Sequence, residues 1–166
     1  MQIYLAARYS RRIELCEYRK TLLLMGHAVQ ARWLDGNHQL DNSGKPISES
    51  GEALVEGNDE STDVTAAILR GKFVDDDFQD CTQSEMIISF TEEPRSGHSR
   101  GGRHVEFGIG LAKGAVMVAI GHRENIFHWL PQVYFFDTWE GFLEHWILHR
   151  TRSWTLKHSR EVEGGQ

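Results

Sequence analysis

Gln2-Ile3-Tyr4-Leu5-Ala6-Ala7, then Ser10–Met25, Gly26 and His27–Trp33, form the stretch that decides the fold. Gln2–Ala7 has the length and apolar content of a short buried strand. Ser10–Met25 carries Ile13, Cys16, Tyr18, Leu22 and Leu23 at close to helical spacing, with Ser10 placed as its N-cap. Gly26 stands where a helix ends on a left-handed residue. His27–Trp33 reads as a second strand. A strand–helix–strand opening predicts two parallel strands joined by a right-handed crossover.

The pattern repeats outward from this unit. Residues 35–59 are polar and glycine-containing, and they read as a long loop. Glu60–Gln83 reads as a helix with Val64, Ala67, Ile68, Phe73, Val74 and Phe78 on or near one face. Glu85–Phe90 is a third strand, and Thr91–Gly102 a loop rich in Gly, Ser and Arg. Arg103–Lys113 is a helix ended by Gly114, and Ala115–Ile120 is a nearly all-apolar, hence internal, fourth strand. Gly121–Gln132 is a loop with room for one helical turn, and Val133–Phe136 is a fifth strand. Thr138–Arg150 closes the chain as a helix with Trp139, Phe142, Leu143, Trp146 and Ile147 as its buried stripe. The expected architecture is α/β: one domain over residues 1–158 and a loose tail at 159–166. Its core is an open, mostly parallel five-stranded sheet flanked by helices, of the flavodoxin or Rossmann kind. Such sheets bind ligands beyond the carboxyl ends of their strands. Those ends carry Ala6–Ser10, Arg32–Gly36, Thr91–Gly102 and Gly121–Asn125.

Bulk properties narrow the function. With 166 residues, the chain suits one core, and its 40% hydrophobic and 25% charged residues are ordinary for a globular protein. A net charge of -6 disfavours coating of a nucleic acid polymer. Arg95, Arg100 and Arg103 nevertheless cluster, which suits a small anionic ligand. Cys16 and Cys81 have no metal-type spacing and indicate no disulfide framework, so a cytoplasmic setting is expected. No apolar run is long enough for a membrane span.

The chemistry concentrates in Gly101-Gly102-Arg103-His104-Val105-Glu106-Phe107-Gly108-Ile109-Gly110. Two glycines open the helix, where backbone N–H groups stand free for an anion or a sugar hydroxyl. Glu106 follows about one turn inside, either aimed into the crevice or serving as an ordinary first-turn carboxylate. In Asp75-Asp76-Asp77, the first two read as a solvated acidic face. Asp77 falls one helical turn before Cys81 and is placed to turn toward the crevice. Two neighbouring carboxylates push their pKa values apart, as acid–base work requires. There is no P-loop, no GxSxG elbow and no HExxH among the histidines. No metal or cofactor is implied, and His104 reads as a packed or surface helix residue.

Several segments resemble the nucleoside 2-deoxyribosyltransferase family, which includes 5′-monophosphate N-glycosidases. Ile3-Tyr4-Leu5-Ala6-Ala7-Arg8-Tyr9 resembles that family's first strand and loop. Asp77-Phe78-Gln79-Asp80-Cys81 with Ser84-Glu85-Met86-Ile87-Ile88 resembles its Asp-containing helix end and next strand, and Val105-Glu106-Phe107-Gly108 resembles the segment of its catalytic glutamate. The resemblance covers roughly residues 1–137, with a poor fit at 35–59. It implies cleavage of an N-glycosidic bond of a deoxynucleoside or deoxynucleotide. Glu106 would be the nucleophile, Asp77 would help protonate the departing base, and Tyr9 would orient Glu106. Asn125 is similar in position to an Asn that a neighbouring subunit lends to the site, so a homodimer is implied.

Hydrolysis and transfer differ only in the acceptor, water or a second base. The loop Arg95-Ser96-Gly97-His98-Ser99-Arg100-Gly101-Gly102 combines hydroxyls, guanidiniums and backbone donors. It favours a 5′-phosphate held by Ser96, Ser99, Arg100, Gly101 and Gly102, with Arg8 as a second contact. The expected activity is therefore hydrolysis of a 2′-deoxynucleoside 5′-monophosphate. Three alternatives stay open: deoxyribosyl transfer between bases, a non-catalytic nucleotide-binding module, and a flavodoxin-like carrier.

Overall fold

The computed structural model describes residues 1–36, 64–94 and 101–146. The expected loop at 35–59 beyond Gly36, the 95–100 part of the Arg–Ser loop, Ile147 and the tail lie outside these residues. So do Ser96, Ser99 and Arg100.

Strands β1 (Gln2–Ala6), β2 (Ala28–Val29), β3 (Met86–Phe90), β4 (Val116–Ile120) and β5 (Val133–Phe136) form one sheet in the order β2-β1-β3-β4-β5. Every neighbouring pair is parallel, with Ile3 beside Met86, Ile87 beside Met117 and Val118 beside Tyr134. Helix α1 (Arg12–Leu24) links β1 to β2, α2 (Val64–Gln83) precedes β3, and α3 (Gly102–Lys113) links β3 to β4. Residues 139–146 are helical. The strand order reverses between β1 and β3, and an open α/β sheet places its ligand crevice at such a point.

The five-stranded α/β fold matches the sequence expectation, and the differences have local causes. Ser10 is not the N-cap of α1: it lies inside a 3-10 turn, Tyr9–Arg11, and Arg11 takes the cap position without a side-chain bond. At the other end, Gly26 takes φ 81° and its N–H bonds to the Leu23 carbonyl, as a helix-ending glycine does. The second strand is only two residues long. Arg32–Asp35 instead winds into a 3-10 turn that buries Trp33 and Leu34, and the Trp33 indole N–H donates to the Leu5 carbonyl at 2.9 Å. An edge strand with one neighbour loses few ladder bonds when it is cut short in this way.

The core is filled by Ile3, Leu5, Leu15, Leu22, Ile87, Ile88, Met117 and Phe142, among others. Trp139 and Phe142 are buried in it as expected, with Leu143 and Trp146 packed alongside. In α2, Ile68, Val74 and Phe78 are 68%, 66% and 55% exposed, so these apolar side chains lie outside the core. What α2 buries instead is its carboxyl end, Asp80, Cys81 and the following Ser84. α3 is seated tightly by Gly110, where a Cβ would lie 2.6 Å from Ile87 Cδ1 and 2.7 Å from Met117 Sδ.

Candidate active site

The site follows from how α3 begins. Gly101 holds φ 82° at the N-cap, a left-handed conformation that only glycine adopts cheaply, and among the described residues nothing stands within 4 Å of a Cβ added at Gly101 or Gly102. One turn on, residues 103, 107 and 110 face the sheet and are buried. Glu106 lies beside that stripe and turns toward β1. There the Tyr4 hydroxyl donates to Glu106 Oε1 at 3.0 Å. Tyr4 sits in the middle of β1 and is fully buried.

The surroundings of Glu106 hold its proton. Burial raises its pKa most and the nearby Asp77 carboxylate raises it next, while the Tyr4 hydrogen bond and Arg103 act in the opposite sense. The net result is a carboxyl titrating at about 8. Tyr4 is pushed well above its ordinary value, by burial first and then by Glu106 and Asp77, so it remains a donor. The buried Cys81 thiol packs into the same cluster and is pushed up by burial and by Glu106, so it remains an inert thiol.

The structure thus brings Glu106 and Asp77 together. It also adds a residue that sequence reasoning missed, because the hydroxyl on Glu106 is that of Tyr4. Tyr9 packs its ring against Trp33, with centroids 6.2 Å apart. The signal for Tyr4 was present: a tyrosine in an otherwise aliphatic strand needs a buried partner for its hydroxyl.

Arg8 lies at the mouth of the crevice, half-buried, with Nη1 3.9 Å from Glu92. Glu92 also faces Arg11 at 3.7 Å and Arg103 at 4.0 Å. Among the described residues, Arg8 Nε and Arg103 Nε and Nη1 are buried without a hydrogen-bond partner. This crowd of guanidinium donors stands close to the opening of α3, where the helix dipole also favours an anion. Asp75 is exposed as expected, but Asp76 is not a free surface charge: its Oδ1 accepts from Arg32 Nη1 at 2.5 Å.

Asn125 lies on the other side of α3. Its Oδ1 accepts from the Phe127 N–H at 2.9 Å and caps the 3-10 turn Ile126–Trp129. Its amide nitrogen lies 3.3 Å from His104 Nδ1 and 3.4 Å from His128 Nε2. Asn125 is therefore engaged within its own subunit, beside His104 and His128. Beside it, Ile126, Phe127 and Trp129 are 78%, 59% and 68% exposed.

No family model and no curated protein matches this sequence. A solved structure does: that of the Clostridium botulinum CMP N-glycosidase BcmB is similar over 89% of this chain and 99% of that one, with TM-score 0.51 and 16% identity. At that identity the likeness establishes the α/β fold. No described helix is long and apolar enough to cross a membrane.

Proposed function

We propose that this chain hydrolyses the N-glycosidic bond of a 2′-deoxynucleoside 5′-monophosphate, with Glu106 as nucleophile. The observation that carries this reading is a carboxylate at the strand-order switch point, held by Tyr4 beside a second carboxylate, Asp77. An oxocarbenium-like centre needs a carboxylate beneath it, and a departing base needs a proton. In this scheme Glu106 attacks the anomeric carbon and forms a glycosyl ester as the C–N bond breaks. Asp77 helps deliver a proton to the base. Water then cleaves the ester, releasing sugar phosphate and restoring the Glu106 carboxyl.

The phosphate half of the proposal is supported by the open glycines at the start of α3 and by the buried guanidinium donors of Arg8 and Arg103. The name of the similar structure also specifies a nucleoside monophosphate, with ribose as its sugar. The deciding experiment incubates the chain with deoxynucleosides, deoxynucleotides and CMP, with and without a second free base, and follows base release. Release from the 5′-monophosphate, little from the matched nucleoside and none transferred to the added base is the expected result. Arg8→Ala should then cost about one decade in kcat/KM on the nucleotide alone. Base exchange would make the chain a transferase, and no release from any substrate would make it a binding module.

We also propose a homodimer, which the exposed Ile126, Phe127 and Trp129 next to Asn125 support. Mixing Glu106→Ala with Asn125→Ala subunits should restore activity if the two residues meet across an interface. A fully active monomer would refute it.

A further inference from the structure

The side of α3 that faces away from Glu106 carries a separate constellation. His104 in the first turn, Glu124 in the loop after β4 and His128 in the 3-10 turn each offer one ligand atom, and these atoms all lie within 4.8 Å of one another. Residues 104 and 106 point about 200° apart on a helix, so this cluster does not share the Glu106 pocket. His128 is buried, its ring edge-on to Phe107 with centroids 4.9 Å apart, whereas His104 is half-buried and gives access from solvent. The Asn125 amide nitrogen, 3.3 Å from one imidazole nitrogen and 3.4 Å from the other, marks the point on which both rings converge.

We propose that His104, Glu124 and His128 form a divalent transition-metal site, with zinc as its simplest occupant. Two imidazoles and one carboxylate, with a fourth position left for water, are a donor set that zinc accepts. Ligands bound at about 2.1 Å stand roughly 3–3.5 Å apart, so the three atoms must close by about 1 Å.

Two features temper the affinity. Arg103 Nη2 lies 2.5 and 2.7 Å from the two Glu124 oxygens. A carboxylate can keep the guanidinium on one oxygen and offer the other to a metal, but the adjacent positive charge weakens binding. The Glu124 N–H also lies 3.2 Å from His128 Nδ1, and that contact is lost when Nε2 takes the metal and the proton moves to Nδ1. Micromolar rather than nanomolar binding is expected. The metal would pin the loop after β4 to the first turn of α3, the turn that leads into Glu106.

The test is calorimetric titration of the tag-free full chain with Zn²⁺, and with Co²⁺ while its visible d–d absorption is recorded. One site per chain is expected, with a cobalt spectrum of low coordination number and a melting temperature that rises with zinc. His104→Ala and His128→Ala should each weaken binding at least ~10-fold. Asn125→Asp, which keeps the oxygen cap but offers a carboxylate at the point of convergence, should tighten it by about as much. His104 and Asn125 are not fully buried, so these two variants decide the matter if His128→Ala does not fold. The proposal is overturned if zinc shows no saturation below about 1 mM. It is equally overturned if His104→Ala binds zinc as well as the unaltered chain does, which would place the ion on other histidines.

Discussion

Helix α2 carries two carboxylate sites within one turn of each other, and they are built on opposite principles. Asp80 is fully buried and surrounded by donors: the Arg32 N–H at 2.7 Å, Arg32 Nε at 2.9 Å and the Gln30 amide at 3.1 Å. Asp76 joins it on the same guanidinium. Asp77, between them in sequence, faces Glu106, which among the described residues accepts from one neutral hydroxyl, that of Tyr4. The first site ties the end of β2 to α2. The second leaves a carboxyl short of donors, where it keeps its proton to higher pH and must give it up before it attacks. Burial is common to both, so the donor set, and not burial alone, separates a structural carboxylate from a reactive one.

The strongest way to break this contrast is to remove the reactive member. Glu106→Ala should lose at least about three orders of magnitude in base release, while Glu106→Gln still binds substrate. Near-normal turnover of either folded variant would end the assignment.

On the structural side, Asp80→Ala strands Arg32 against α2 with its main carboxylate gone. A loss on the order of 3 kcal/mol in urea unfolding is expected, with kcat per folded molecule unchanged. A stability loss below about 0.5 kcal/mol would mean that the Arg32 cluster is ornamental.

The contrast sharpens in how stability depends on pH. The Glu106 carboxyl titrates at about 8 in the folded chain against an ordinary 4.5. Between these values the folded state binds the extra proton, so stability falls as pH rises through the window and levels off above about pH 8. The decline should amount to at most about 5 kcal/mol and should vanish in Glu106→Gln. A wild-type profile that is flat from pH 5 to pH 8 would contradict the donor-poor site.

The subtlest test moves the midpoint of the kcat/KM profile, which should rise with pH as Glu106 ionises. Tyr4→Phe removes a bond that favours the charged form, so the midpoint should move up by about one unit. Asp77→Asn removes a like charge, so it should move down, even as the rate falls for bases that need protonation. Shifts in the same direction would show that the two residues do not act on Glu106 as the geometry implies.

Much of this was legible in the order of residues, because strand and helix periodicities are local. The alternation of β1, α1, β3, α3 and β4, the Gly26 and Gly114 helix ends and the exact span of β5 follow from side chains that meet neighbours a few positions away. Glu106 stood out because two glycines and a helix start precede it. What misled was also local. The apolar positions of α2 share a face, yet Ile68, Val74 and Phe78 are exposed, since helical spacing says that residues share a side but not what covers it. The 3-10 turn at Arg32–Asp35 replaced a strand because Trp33 reaches the Leu5 carbonyl, a partner 28 residues away.

The sequence by itself determined the α/β class, the parallel sheet and the two carboxylates worth testing, for these depend on short-range pattern and on residue chemistry. Only the tertiary structure decided which tyrosine holds Glu106, that Asp76 and Asp77 part company, and that His104, Glu124 and His128 converge. Tyr4 and Glu106 are 102 positions apart. The strand order that brings β1 beside β3 makes them neighbours, and with them the burial and charge that set their protons.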